Sequence, residues 1–149
     1  MKPSAKICWI QGLGAAYSRL DARQRDKYSW LAKTGSSWVF TAELDHREPE
    51  STVYNHEDGT FHKSVPAMSK ELGHKPLTVS HSTELFGAVS SAQREKLPCR
   101  LLLVRGTKFG TSKGPIKAAA DADYWVIESV FGSVDQGYKF VAVRMKTEL

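Results

Sequence analysis

The run "PCRLLLVRG" (98–106) limits the fold more than any other part of the chain. Proline opens it and glycine closes it, so it forms an element of its own. Four consecutive aliphatic residues at 101–104 leave it no polar face. A strand with that pattern must be covered on both sides. It is far too short to cross a bilayer, which takes about 20 apolar residues. The run is therefore predicted to be an interior strand, and the rest of the chain must supply its neighbours and its cover.

Several other stretches read as those neighbours. "YKFVAVRM" (138–145) alternates, with Phe140, Ala142 and Arg144 on one side and Lys139, Val141 and Val143 on the other. "DYWVIESVF" (123–131) precedes it across "GSVDQG". Strands are also predicted over 6–10, 37–44 and 76–79. "TVYNHEDGTFHKSV" (52–65) reads as a hairpin, because Asp58-Gly59 is a strong tight-turn pair. Helical spacing appears in Tyr17, Leu20, Tyr28 and Leu31, which predicts a helix over 15–33 ended by Gly35. Leu85, Phe86, Val89 and Ala92 predict a second helix over 82–96, capped by Ser82 or Thr83. Pro66 and Pro115 open shorter helices over 66–72 and 114–120. The expected class is α+β: a single domain over 1–149, with a mainly antiparallel sheet and two or three helices packed on one face. At 149 residues, 41% hydrophobic, the chain can bury a core without disulfides. Cys8 and Cys99 both sit in strand-like runs and read as small buried hydrophobes.

Charge is segregated along the chain. The net charge is +5, yet residues 40–60 carry one basic and six acidic groups. They are flanked by 1–39 at net +5 and by 61–117 at net +7. Basic surfaces attract polyanions by releasing counterions. One basic stretch, "RGTKFGTSKGPIK" (105–117), is free of acids, and no carboxylate occurs anywhere in 100–120. Its glycines allow backbone N–H groups to approach a phosphate, and Phe109 could stack on a base. Arg100, Arg105, Lys108, Phe109, Lys113 and Lys117 are the expected nucleic-acid contacts, joined by Arg19 and Arg23 on the first predicted helix. The stretch is not a Walker loop, since no Gly-Lys-Ser/Thr follows at the required spacing. "WIQGLGAAY" is not a dinucleotide turn either, because bulky Tyr17 stands where close helix–strand packing needs a small residue.

The acidic stretch has its own chemistry. "ELDHREPESTVYNHEDGTFHK" (43–63) gathers three histidines and six carboxylates. Asp45, His46, His56 and Asp58 are the candidate ligands for a divalent metal ion. His46, His56, His62 and Glu57 are the candidate catalytic groups. A metal-free site would pair His56 or His62 with Glu57, with Lys63 nearby to meet developing negative charge in RNA cleavage. The order of Asp-His at a strand end, a hairpin and then a helix is shared with His–metal-finger nucleases. Asn55 comes too soon after His46, and His74 falls at a helix end, so the spacing excludes that family. An exposed polar hairpin accounts for the same residues with no chemistry at all.

The leading expectation is thus a small basic cytoplasmic protein that binds nucleic acid or another polyanion. One alternative is a phosphodiesterase built on the 45–62 cluster, either metal-dependent or acid–base. Another is a non-enzymatic accessory or inhibitor protein whose acidic segment meets a protein partner. No stretch is apolar enough to expect membrane insertion, and no signal-length apolar region follows Lys2 and Lys6.

Overall fold

A computed structural model describes residues 16–17, 31–34, 37–106, 111 and 117–145. Its strands are β1 (Ala16–Tyr17), β2 (Leu31–Thr34), β3 (Ser37–Glu43), β4 (Thr52–Asn55), β5 (Thr60–Val65), β6 (Cys99–Arg105), β7 (Lys117–Ala120), β8 (Trp125–Ser133) and β9 (Gly137–Arg144). Among the described residues there is one α-helix, α1 (Pro76–Glu95), and one short 3-10 turn, Pro49–Ser51. The strands join in one sheet in the order β1-β2-β3-β6-β8-β9-β5-β4, with β7 also paired to β6. This corrects the expected class. The fold is mostly β, a sheet curled into a half-barrel around one helix, and not a sheet carrying two or three helices.

The interior strand is where the aliphatic run requires it. β6 pairs in parallel with β3, from Trp38↔Cys99 to Glu43↔Val104. On its other side two strands share the edge. Cys99 pairs with Trp125 of β8, while residues 102–105 pair with β7. Leu101 and Leu102 point to opposite faces and are both fully buried, as a strand covered on both sides demands. A parallel pair needs a long crossover. Here it contains the β4–β5 hairpin and α1.

The predicted hairpin forms, with Asn55↔Thr60 closing it and Gly59 at φ +67° in the turn. β8 and β9 also form as expected, apart from a bulge between Ile127 and Ser129. Gly132, opposite Tyr138, has φ +93°. A Cβ there would lie 2.2 Å from the Gly137 carbonyl oxygen. Gly132→Ala is therefore expected to destabilise the fold by on the order of 2 kcal/mol, read as a lower urea midpoint.

Four local readings are overturned. Residues 66–72 form no helix, running irregularly over 66–69 and then into a turn, and 76–79 open α1 and form no strand. Residues 117–120 are strand β7 in place of the expected helix. The helix read over 15–33 meets β1 near its start and β2 at its end. The predicted strand 6–10, Cys8 and the rest of that helix lie outside the described residues. α1 starts earlier than its hydroxyl signals imply because Pro76 takes the first helical position. Ser82 is no cap; it is buried on the inner face, where its carbonyl accepts the Tyr138 hydroxyl at 3.0 Å. The helix ends at Lys96, whose left-handed backbone turns its N–H back to Ala92 and Gln93.

His81, Leu85, Ala88 and Ala92 bury one stripe of α1 against β8 and β3. The sheet's curl closes an aromatic core within it. Phe140 lies 5.7 Å from Phe40 and 6.0 Å from Phe61, ring centre to ring centre. No helix among the described residues is long and apolar enough to cross a membrane.

Candidate functional site

The curl brings the end of β3 to face β5, and a cavity of about 670 Å³ opens there. Glu43, His46, Lys63, Val65, Pro66 and Met68 line it, and its wall is mostly apolar. Strand alternation puts Lys63 on the buried side of β5, between Phe61 and Val65. Lys63 is 8% exposed, and its Nζ donates to the Thr41 carbonyl at 3.3 Å. Burial pulls its pKa down to about 8, against the opposing pull of the Glu43 charge. Glu43, the last residue of β3, is 6% exposed. Its Oε2 has no hydrogen-bond partner among the described residues and lies 3.9 Å from His46 Nε2. His46 Nδ1 accepts the Glu48 backbone N–H at 3.0 Å. That bond assigns the proton of neutral His46 to Nε2, the nitrogen turned toward Glu43. His46 thus turns an N–H toward Glu43 across 3.9 Å, too far for a hydrogen bond.

Between Glu43 and His46, Asp45 binds two described residues of the basic stretch. Asp45 Oδ2 accepts the Gly106 N–H at 3.1 Å. The Asp45 carbonyl accepts the Thr111 N–H at 2.8 Å and its hydroxyl at 3.3 Å. Asp45 is thus committed to fastening the segment after β6 to the segment after β3. At the base of that segment, Arg105 and Lys117 are directly opposed across β6 and β7, and both are exposed. Like charges at that position repel unless an anion lies between them. Lys108, Phe109 and Lys113 fall between these two residues in sequence and, like Arg19 and Arg23, lie outside the described residues.

The remaining candidate groups gather elsewhere or face apart. The Tyr54 hydroxyl donates to Asp121 Oδ2 and meets His56 Nδ1 at 3.1 Å. Arg144 donates to the His56 carbonyl at 2.8 Å and pairs with Asp123 at 2.9 Å. Its guanidinium also lies 5.1 Å from the centre of the Trp125 ring. Asp58 is locked into the hairpin turn by Asn55, at 2.9 and 3.0 Å. Glu57 is exposed in that turn, and His62 points away from Lys63 on the other face of β5. So His46 belongs to the cavity, His56 to the Tyr54–Asp121–Arg144 network, and His62 to neither. Among the described residues no group of three or more His, Cys, Asp or Glu side chains could hold a metal ion. Arg100 donates to the Asp121 carbonyl at 2.9 Å, and its guanidinium lies 4.9 Å from the centre of the Tyr124 ring, itself half exposed.

Glu43 and Lys63 are the site residues that the histidine count hides. A signal for Lys63 was present, since "FHKSV" alternates so that the lysine shares a face with phenylalanine and valine. Glu43 carries no such mark.

No family model and no curated protein matches this chain. Solved structures similar to it include the SRA domain of SUVH5 in complex with fully methylated CG DNA, at 13% identity and a TM-score of 0.42. That match covers 91% of this chain and 76% of the other. Arabidopsis thaliana SUVH6 in complex with SAM is similar at 12% identity and a TM-score of 0.42. KRYPTONITE in complex with mCHG DNA and SAH is similar at 16% and 0.39. The chain again aligns over 91% of its length, but spans only 22% and 28% of those two proteins. At these scores the likeness assigns this chain neither a family nor a ligand.

Proposed function

We propose that the protein binds nucleic acid through the edge formed by β6, β7 and the basic segment between them. The observation that carries this reading is the exposed Arg105–Lys117 pair, two cations held opposite each other at the base of a stretch that contains no carboxylate. A phosphate between them relieves the repulsion, and Lys108 and Lys113, which lie between them in sequence, add to the same charge. Phe109 offers a face for stacking on an unpaired base. Arg100, at the start of β6, also donates to the Asp121 carbonyl and lies over the half-exposed Tyr124 ring.

Four phosphate contacts, by Arg105, Lys108, Lys113 and Lys117, give a salt slope of about −3.6, so a fourfold rise in salt should weaken binding by on the order of a hundredfold. Fluorescence anisotropy with labelled single- and double-stranded oligonucleotides measures this directly. Lys108→Glu, Lys113→Glu and Lys117→Glu together are expected to abolish binding while circular dichroism stays native. Unchanged affinity in that triple variant overturns the proposal.

A further inference from the structure

Lys63 occupies a costly position. Its neighbours on the same face of β5, Phe61 and Val65, are core residues, so an apolar side chain could stand in its place. An ammonium there loses most of its hydration. Glu43 repeats the anomaly across the cavity, with a buried carboxylate oxygen that no hydrogen bond satisfies among the described residues. Two ionisable side chains, each more than nine-tenths buried, therefore meet one cavity of about 670 Å³. That volume is within the usual range for small-molecule sites. Val65, Pro66 and Met68 give the cavity an apolar wall, while Arg47 and Lys139 beside Glu48 and Glu50 leave its rim without a dominant charge.

We propose that Lys63 is a carbonyl-capturing amine, whose Nζ condenses with the aldehyde or ketone of a small, largely apolar, uncharged ligand held in this cavity. The lone pair of the neutral amine attacks the carbonyl carbon. A C–N bond forms as the C=O π pair moves onto oxygen. Glu43 carries one nitrogen proton to the alkoxide, giving the carbinolamine, and the second to its hydroxyl, which leaves as water while the nitrogen lone pair closes the C=N bond. One amine and one carbonyl give one imine and one water, with no oxidant or reductant required. Lysines desolvated in apolar pockets are activated for this chemistry. Lowering the Lys63 pKa from 10.5 to about 8 raises its unprotonated share at neutral pH by on the order of a hundredfold. The site is separate from the nucleic-acid edge and does not depend on it.

Butanal with sodium cyanoborohydride, followed by peptide mapping of the full chain, tests the proposal. The reagent reduces the imine and fixes the label. In the folded protein at neutral pH, Lys63 is expected to be labelled about tenfold faster than any other lysine. In urea that preference should vanish, because it belongs to the fold. Glu43→Gln is expected to slow labelling of Lys63 and leave the other lysines unchanged. Should that variant not fold, the comparison of folded with urea-unfolded wild type decides alone. Labelling of Lys63 no faster than of surface lysines, or its protection from the reagent, overturns the proposal.

Discussion

Phe140→Ala should lower the unfolding free energy by about 3–5 kcal/mol, among the largest effects of any single substitution in this fold. Phe140 is fully buried in β9, and its ring meets those of Phe40 from β3 and Phe61 from β5. β3 and β5 are far apart in the strand order, so this ring is where the curl of the sheet closes. Removing it leaves a cavity between three strands that hydrogen bonds hold in place, so collapse can refill little of it. Urea unfolding should show a large fall in midpoint with an unchanged slope. The adjacent Lys139→Ala, on the exposed side of the same strand, should change stability by less than about 0.5 kcal/mol. A loss below about 1 kcal/mol for Phe140→Ala would show that the ring does not close the core.

Phe140 also marks how far the sequence could be read. Its strand was legible because alternation is a local property, and the same holds for β6, for β8 and for the hairpin around Asp58-Gly59. The fold class was not. Ala118, Ala119 and Ala120 have high intrinsic helix propensity, yet they form β7 because β6 offers an unpaired edge beyond Cys99. Thr78 and Val79 favour a strand locally, yet Pro76 starts a helix through them. The parallel pairing of β3 with β6 spans more than fifty residues of intervening chain and leaves no pattern in either strand. In β7 and in the β3–β6 pair, tertiary pairing decided what local propensity could not.

The same division holds at the candidate sites. The charge pattern set the acidic segment between basic ones along the chain only; in space Asp45 joins it to Gly106 and Thr111. Which histidines converge could not be read, because His56 and His46 are drawn to different partners by the curl. His56 follows Tyr54 toward Asp121, which is distant in sequence, while His46 stays with Glu43, three residues before it. Lys63 was read only as a cation beside His56 and His62, and its meeting with Glu43 needs two strands that do not pair.

Asp121→Ala is the second substitution of large expected effect, a loss of about 3–5 kcal/mol. Asp121 sits at the corner where β6 exchanges β8 for β7, and its own N–H bonds the Leu101 carbonyl at 2.9 Å. Its carboxylate accepts from the Tyr54 hydroxyl, from the Asp123 N–H at 2.9 Å and from Trp125 Nε1 at 3.1 Å. Arg144 stands 4.0 Å away. Alanine would leave the buried Trp125 indole N–H without its acceptor, take from the Tyr54 hydroxyl its carboxylate partner and remove the charge that faces Arg144. Asp121→Asn keeps one acceptor oxygen and should lose less, about 1–3 kcal/mol. The charge makes the effect depend on pH. Burial alone would raise the Asp121 pKa, but the bonds from Tyr54, Asp123 and Trp125, with the Arg144 charge, outweigh it and hold the carboxyl below its ordinary 3.8. Tyr54 is pushed up to about 12, by burial and then by Asp121, so its hydroxyl stays a donor throughout the neutral range. A carboxyl with a depressed folded-state pKa contributes its full stability above the unfolded value and loses it as pH falls through the folded one. The stability gap between wild type and Asp121→Asn should therefore be constant from about pH 5 to 8 and shrink below about pH 4. Urea melts of both proteins at neutral pH and near pH 3 measure that gap, and a gap of the same size at both would exclude the ionised carboxylate as the source of the stability.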